Sequence, residues 1–207
     1  MQSVDECFDI VKEDYLKFLS KEKIYKKSIS SHIKILKKIY IPIAFWINRK
    51  YKQKGNTLLL GLSASQGSGK TTAASILRII LKFFFKRDVC VISIDDFYKT
   101  LRDRKKMAEK KHPLFKTRGV PGTHDINLIK NFFISIRNKK FKKIKLPKFD
   151  KSIDDRFKKS HWYKINKKPE IVIFEGWCVG AKAEKNATLK KPINYLEKYE
   201  DKDLIWR

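Results

Sequence analysis

The chain has 207 residues, 42% of them hydrophobic, which suits a globular protein with a sizeable core and excludes a disordered chain. Its three cysteines form no C-x-x-C pair, which argues against a disulfide framework and a zinc site. No apolar run is long enough to cross a bilayer, and no basic segment precedes an apolar run at the start. We therefore expect a cytoplasmic protein with no membrane partner.

The formal net charge of +27 has two interpretations, a surface for nucleic acid or anionic membrane, and a compositional bias. The excess is mostly lysine, spread along the chain beside abundant isoleucine, phenylalanine and asparagine. Nucleic-acid binders usually concentrate charge on one element and interleave arginine with aromatic residues. We prefer the compositional interpretation and expect no specific nucleic-acid partner. The oligomeric state does not follow from the sequence.

Residues 1–55 are predicted to form a helical extension. In the first helix, apolar residues recur at three- and four-residue steps and form one face, which comprises Val4, Cys7, Ile10, Val11, Tyr15 and Phe18. A second amphipathic stretch runs from about Ser31 to Ile39, and Pro42 is expected to break or restart it.

A phosphate-binding loop is predicted where the pattern changes after residue 56. Residues 57–63 are a short apolar run of the kind that forms a buried strand, and a helix is predicted from about Lys70 to Lys86. The segment between them follows the phosphate-loop pattern, with Ala64 at its first position. Glycines let backbone N–H groups surround phosphates at a helix N-terminus. A glycine-serine turn before an ordinary helix is the alternative, and the strand–loop–helix context argues against it. The predicted nucleotide-binding residues are Ser65, Gln66, Gly67, Ser68, Gly69, Lys70, Thr71 and Thr72.

The same loop predicts ATP and Mg²⁺ as the small molecules bound. In this pattern the lysine, here Lys70, reaches the β- and γ-phosphates, and the hydroxyl of the following residue, here Thr71, is on the metal.

Two further strands end in carboxylates. Residues 89–94 form an apolar run followed by Asp95 and Asp96, and residues 171–174 form another followed by Glu175 and Gly176. Ligands of open α/β sheets bind at the carboxyl ends of the strands. One carboxylate of the Asp pair can accept a proton from a hydroxyl while another orients Mg²⁺, and Glu175 can share the metal site. Solvated acids at strand ends are the alternative.

The remaining segments are less regular. Residues 99–124 are predicted to be a loop or short-helix insertion, and residues 144–147 a short extended piece. Asp125 is expected to cap a helix through Ile136. Strands that alternate with helices in this way predict an α/β fold with a parallel, doubly wound sheet.

Five segments in this order resemble the phosphoribulokinase, uridine kinase and pantothenate kinase family, and more closely the plant-type D-glycerate 3-kinases. The matching segments are residues 66–72, 93–98, 118–125, 146–152 and 174–177. The resemblance implies an α/β, P-loop NTPase-type three-layer fold with a mostly parallel sheet. On that basis residues 56–207 are a P-loop kinase domain after the 1–55 extension. Relatives continue beyond this chain's last residues, so the C-terminal portion is expected to be short.

Roles are carried over by matched position. The resemblance implies Asp95 as the catalytic base, with Lys70 and Glu175 as further catalytic residues and Thr71, Asp95 and Glu175 around the metal. The residues implied around the acceptor are Asp96, Tyr98, Arg118, Thr123, His124, Asp125, Lys148 and Lys151. Arg118 and His124 suit a carboxylate through charge-assisted hydrogen bonds. A solvated His124 beside a helix cap, and Lys148 and Lys151 as part of the lysine excess, remain alternatives.

The resulting hypothesis is that the protein is an ATP-dependent small-molecule kinase that phosphorylates D-glycerate to 3-phosphoglycerate. A kinase for another acceptor, of the nucleoside or pantothenate type, is an alternative within the same class. An ATP-binding protein without kinase activity is an alternative from another class. A nucleic-acid binder is the weakest alternative, because no base-reading module is recognisable.

Overall fold

The computed structural model describes residues 3–24, 28–119 and 121–203. Its helices in chain order are α1 (Val4–Lys21), α2 (Ile29–Ile35), α3 (Ile41–Lys54), α4 (Lys70–Phe83), α5 (Leu101–Lys110), α6 (Ile126–Arg137), α7 (Asn186–Leu189) and α8 (Tyr195–Tyr199). Its strands are β1 (Leu58–Ser63), β2 (Val89–Ser93), β3 (Ile144–Leu146), β4 (Phe149–Asp150), β5 (Asp155–Arg156), β6 (Tyr163–Ile165) and β7 (Ile171–Gly176). None of the described helices combines the length and apolarity needed to cross a bilayer.

The N-terminal helices pack as the sequence predicts, with local differences. A capping box between Ser3 and Glu6 starts α1, whose Cys7, Val11 and Tyr15 are buried. Ile10 was predicted on that face but is 49% exposed, because the helix packs through the narrower stripe of residues four apart. A π-helical turn separates α2 from α3, and Pro42 is the second residue of α3. The backbone stays right-handed helical through this turn, and the Ile41 N–H donates to the Leu36 carbonyl, so the break expected at Pro42 is instead a wider π-turn within one helical run.

The main sheet has three parallel strands in the order β1-β7-β2. Parallel strands need covered faces, and the side chains of β7 alternate between two cores. Ile171 and Ile173 join the core with α1, α3 and α4, whereas Val172 joins the core with Phe132 and Ile136 of α6. The predicted three-layer α/β fold with a mostly parallel sheet is therefore confirmed. The division at residue 55 stays a prediction, although the N-terminal helices share a core with α4.

Two small antiparallel pairs, β3–β6 and β4–β5, lie outside this sheet. The β4–β5 hairpin closes over residues 151–154, and Asp154 adopts a left-handed φ of 53° in that turn. The insertion predicted over 99–124 holds α5 and a 3-10 turn, Pro113–Lys116. Asp125 caps α6 as predicted, since its side chain accepts the N–H of Leu128.

Candidate active site

The three parallel strands end at one edge of the sheet. Ser63 of β1 is in register with Gly176 of β7, and Ser93 of β2 is in register with Glu175. The segments that follow the strands therefore meet there. They enclose a cavity of about 610 Å³ lined by Gln66, Gly67, Gly69, Lys70, Thr71, Thr72, Ser93, Asp95, Tyr98, Arg118, Gly119, Lys151, Glu175, Gly176 and Trp177. A cavity of this size suits a small-molecule ligand.

The loop between β1 and α4 has the backbone of a phosphate cradle. Gly67 and Gly69 have φ angles of 73° and 84°, and there is open space where a Cβ would stand on either residue. Among the described residues, no side chain accepts a capping hydrogen bond at the start of α4. The first N–H groups of that helix are therefore left to bind an anion, together with the positive end of the helix dipole.

Two side chains of the loop are held by polar contacts at its ends. The Lys70 Nζ donates to the carbonyl of Ser65 at 2.6 Å, and the Thr71 hydroxyl donates to Glu175 Oε1 at 3.0 Å. Glu175 is only 3% exposed, so its carboxylate is fixed beside Thr71 at the floor of the cavity. The predicted ammonium, hydroxyl and carboxylate therefore lie in one place.

The oxygen atoms at this floor fit Mg²⁺. Magnesium at nucleotide sites takes one or two carboxylates and completes its shell with phosphates and water. Thr71 and Glu175 supply a hydroxyl and a carboxylate in contact, and Asp95 lines the same cavity. Among residues 3–24, 28–119 and 121–203, no group of three or more His, Cys, Asp or Glu side chains could hold a metal by itself.

Asp95 lines the same cavity beside Lys151 and Tyr98. The Lys151 Nζ contacts Asp95 Oδ2 at 2.7 Å, and the Tyr98 side chain interacts with the Asp95 carboxylate and with the Trp177 ring. Burial, and then the negative charge of Asp95, raise the pKa of Tyr98 to about 12. Tyr98 is therefore a neutral hydrogen-bonding group at physiological pH.

His124 lies behind Tyr98 and does not line the cavity. Its ring stacks on Tyr98, with centroids 4.2 Å apart, and its side chain is 6% exposed. Its Nε2 is buried without a hydrogen-bond partner among the described residues. Burial lowers the pKa of His124, although the charge of Asp95 acts in the opposite direction. His124 is therefore a neutral packing partner of Tyr98.

This burial predicts a pH-dependent stability. The folded-state pKa of His124 is below its ordinary value near 6.5, so the unfolded state binds the extra proton first as the pH falls. We expect the free energy of unfolding to fall between pH ~6.5 and ~5, where most carboxylates are still ionised. Urea titrations across this range should show a smaller fall for His124→Gln. The exposed His161 provides the control, because His161→Gln should keep the parent's pH dependence. An equal slope in all three proteins would contradict the prediction.

The other predicted acceptor residues differ in whether they reach the cavity. Arg118 lines the cavity, where its Nη1 donates to Asp154 Oδ1. Thr123 is fully buried, and its carbonyl accepts the N–H of Lys99 at 2.8 Å. Asp125 caps α6 and also contacts Arg156 Nη2 at 3.4 Å. Of these predicted residues, only Arg118 is at the cavity surface.

Asp96 and Lys148 lie at a different place. The Asp96 Oδ1 accepts the N–H of Phe149 at 3.2 Å, and both Asp96 and Lys148 line a separate cavity of about 270 Å³ beside β2. Adjacent residues of the 3-10 turn Ile94–Phe97 point in different directions, so Asp95 and Asp96 cannot both face the loop. Burial raises the pKa of Asp96, while the Phe149 N–H acts against that rise.

Comparisons with known proteins agree with this architecture. No protein-family model matches the chain. The chain is 36% identical over 142 residues to an uncharacterized kinase of Schizosaccharomyces pombe, mug58, covering 65% of this chain and 51% of that protein. It is 34% identical over 161 residues to the chloroplastic D-glycerate 3-kinase of Arabidopsis thaliana, covering 69% and 35%. A solved D-glycerate 3-kinase from Cryptococcus neoformans superposes with a TM-score of 0.65 at 26% identity, covering 79% and 59%.

The chain is thus similar in sequence and in fold to kinases that include D-glycerate 3-kinases. The chain spans about half the length, or less, of these curated relatives, with 51% and 35% of the two proteins covered.

Several residues at the site were assigned no role from the sequence, Ser93 and Gly176 among them. Trp177 and Gly119 line the cavity, and Asp154 holds Arg118 from behind. Trp177 directly follows Glu175-Gly176, so its position at the strand end was a usable signal. Asp154 gave none, because an acid in a polar, lysine-rich turn is usually solvated.

Gly176 is needed for the close approach of the segments around this site. A Cβ placed on it would lie 2.9 Å from Ile94 Cβ, closer still to Ile94 Cγ2, and 3.2 Å from Val179 Cγ2. We expect Gly176→Ala to lower the free energy of unfolding by about 1–3 kcal/mol through overpacking. Thermal unfolding measures this effect, and adding Ile94→Ala should restore part of the loss. Unchanged stability of Gly176→Ala would show that the backbone can move aside.

Proposed function

We propose that this protein transfers the γ-phosphoryl group of ATP to the hydroxyl of a small hydroxy acid, with D-glycerate as the substrate and 3-phosphoglycerate as the product. One observation carries the proposal. The phosphate-loop backbone, the two carboxylates Asp95 and Glu175, and the two cations Arg118 and Lys151 all line a single cavity. Arg118 and Lys151 add two cations to those of the phosphate loop, and Lys151 contacts Asp95, as a site that also binds an anionic acceptor requires.

The nucleotide half of the site is assigned to the loop and the floor of the cavity. Backbone N–H groups of residues 65–72 bind the phosphates, and Lys70 leaves the Ser65 carbonyl to contact the β- and γ-phosphates. Thr71 and Glu175, with Asp95 nearby, hold Mg²⁺, which supplies charge neutralisation for the transferring group.

The acceptor half is assigned to the opposite wall. Asp95 accepts the proton of the attacking hydroxyl, and Arg118 and Lys151 bind the acceptor carboxylate through charge-assisted hydrogen bonds. Tyr98 stays neutral and orients Asp95, while His124 supports the Tyr98 ring from behind. Positioning and electrostatic stabilisation supply most of the rate in phosphoryl transfer.

The remaining predicted acceptor residues are assigned indirect roles. Thr123 and Asp125 support the wall that carries Tyr98 and the start of α6. Asp96 and Lys148 line the second cavity, so neither is assigned a direct contact with the acceptor.

An acceptor panel tests the proposal. Purified protein with ATP and Mg²⁺ is offered D-glycerate, L-glycerate, other sugar acids, pantothenate and nucleosides, and ADP release is measured while the product is identified by mass. We expect turnover with D-glycerate and a product heavier by one phosphate group. Phosphorylation of a nucleoside or of pantothenate instead would show that this compound, and not D-glycerate, is the acceptor. Nucleotide binding without ADP release in any reaction would overturn the kinase assignment.

A further inference from the structure

The strongest unassigned feature of the molecule is a buried arginine behind the acceptor wall. Arg104 of α5 has no exposed surface, although a guanidinium is always charged and costly to bury. Its Nε donates to the Lys99 carbonyl at 3.3 Å and its Nη1 to the Lys116 carbonyl at 2.8 Å. Its Nη2 donates to the Asp154 carbonyl and, at 2.9 Å, to Asp154 Oδ2. This side chain therefore ties three separate segments together.

Asp154 connects this buried arginine to the cavity. One carboxylate oxygen accepts from Arg104, and the other accepts from Arg118, which lines the cavity. Burial alone would raise the pKa of Asp154, but hydrogen bonds from Arg118 and Arg104 hold that pKa below its ordinary value. The carboxylate is therefore ionised at neutral pH and bridges two guanidinium groups.

The hairpin that carries Asp154 also carries Lys151. Both residues are in the turn between β4 and β5, and Lys151 contacts Asp95 at 2.7 Å. Phe149, at the start of the hairpin, packs beneath both arginines, with the Arg104 and Arg118 guanidinium carbons 5.8 and 5.9 Å from its ring centroid. Fixing the turn at Asp154 therefore fixes two cations on the acceptor side of Asp95.

We propose that Arg104 and Asp154 are positioning residues that hold Arg118 and the Lys151 turn in the geometry that binds the acceptor. This inference rests on the proposed function for its kinetic consequence, but the mechanical link from Arg104 through Asp154 to Arg118 does not. Neither residue lines the cavity, so neither contacts ATP. Loss of either one acts on acceptor binding and leaves nucleotide binding intact.

The experiment uses the full chain with two substitutions and a matched control. Asp154→Asn keeps the side-chain volume and removes the charge, and Arg104→Lys keeps the charge but cannot donate in the same fork. Asp150→Asn is the control, because Asp150 belongs to the same hairpin but, among the contacts seen in the described residues, its side chain bonds to Ser152 and the Ile153 backbone and to neither arginine. Far-UV circular dichroism confirms that each variant is folded.

The first measurement does not depend on activity. Side-chain N–H resonances of arginine persist in NMR spectra when the guanidinium is fixed, and the signal of Arg118 is assigned by its loss in Arg118→Lys. We expect that signal to weaken or disappear in Asp154→Asn and to remain in Asp150→Asn. An unchanged Arg118 signal in folded Asp154→Asn would overturn the inference, whatever the protein phosphorylates. Should Arg104→Lys not fold, Asp154→Asn alone decides.

The second measurement separates the two substrates. For the acceptor that the parent turns over, we expect KM to rise about tenfold or more in Asp154→Asn, as for a lost hydrogen bond to a charged group. KM for ATP should stay within about twofold, because neither Arg104 nor Asp154 lines the cavity. A loss of general stability, by contrast, would not act on one substrate alone. An equal rise in both KM values would overturn the inference. A parent protein that turns over no acceptor would instead reject the proposed function, and the NMR result would still decide the link.

Discussion

We expect Asp95→Asn to lower kcat by about 10²-fold or more, the contribution of a positioned general base. The substitution keeps the size of the side chain and removes its ability to accept a proton from the acceptor hydroxyl. Steady-state ADP release with D-glycerate measures the effect, and titration with ATP in the absence of acceptor measures nucleotide affinity. That affinity should change little, because the loop backbone and Lys70 bind most of the phosphate charge.

Asp96→Asn is the matched control for Asp95→Asn. The two residues are adjacent, but the Asp96 carboxylate accepts the Phe149 N–H and lines the second cavity. The asparagine side chain keeps an oxygen that can accept the same hydrogen bond, so kcat should stay within about threefold of the parent. Equal losses in the two variants, or the larger loss in Asp96→Asn, would contradict the assignment of Asp95.

The second large effect is expected for Lys70→Met, which should lower kcat/KM by about 10²- to 10³-fold. Methionine keeps the length and apolar stem of the side chain but removes the charge that would contact the transferring phosphoryl group. Coupled ADP-release assays over a range of ATP concentrations provide the measurement. The fold should survive, because Lys70 is at the rim of the cavity and contacts only the Ser65 carbonyl among the polar partners seen in the described residues.

Lys82→Met is the control for Lys70→Met. Lys82 is exposed near the other end of α4, where its ammonium group lies 5.0 Å from the centroid of the Phe83 ring. Loss of an exposed lysine there should leave kcat/KM near the parent value. Activity of Lys70→Met within a few-fold of the control would remove Lys70 from the phosphate site.

The sequence predicts most of the proposed nucleotide half of the site because its signals are local. The apolar run of β1, the glycines of the loop and the apolar face of α4 are adjacent in the chain, and their order defines the backbone. Glu175 and Asp95 were also found, because parallel strands bring acids at their carboxyl ends to one edge. The cap at Asp125 follows from the same kind of local rule.

The proposed acceptor half was less predictable, because it depends on contacts between distant segments. Lys148 and Lys151 are indistinguishable in a lysine-rich stretch, and only the β4–β5 turn directs Lys151 to Asp95. In the sequence Asp96 is equivalent to Asp95, and only the 3-10 turn shows that the two side chains point in different directions. Arg104 is in a highly charged helix, and the sequence of such a helix predicts a solvent-exposed position. Its burial depends on backbone carbonyls that lie before and after that helix in the chain.

Transfer of a radiolabelled γ-phosphate tests the central claim most directly. The protein is incubated with labelled ATP, Mg²⁺ and D-glycerate, and the products are separated by chromatography. The account predicts that label leaves ATP only when the acceptor is present and is recovered in 3-phosphoglycerate, with Asp95→Asn close to background. Label that stays in ATP, or that is released as inorganic phosphate at the same rate with and without acceptor, would contradict it.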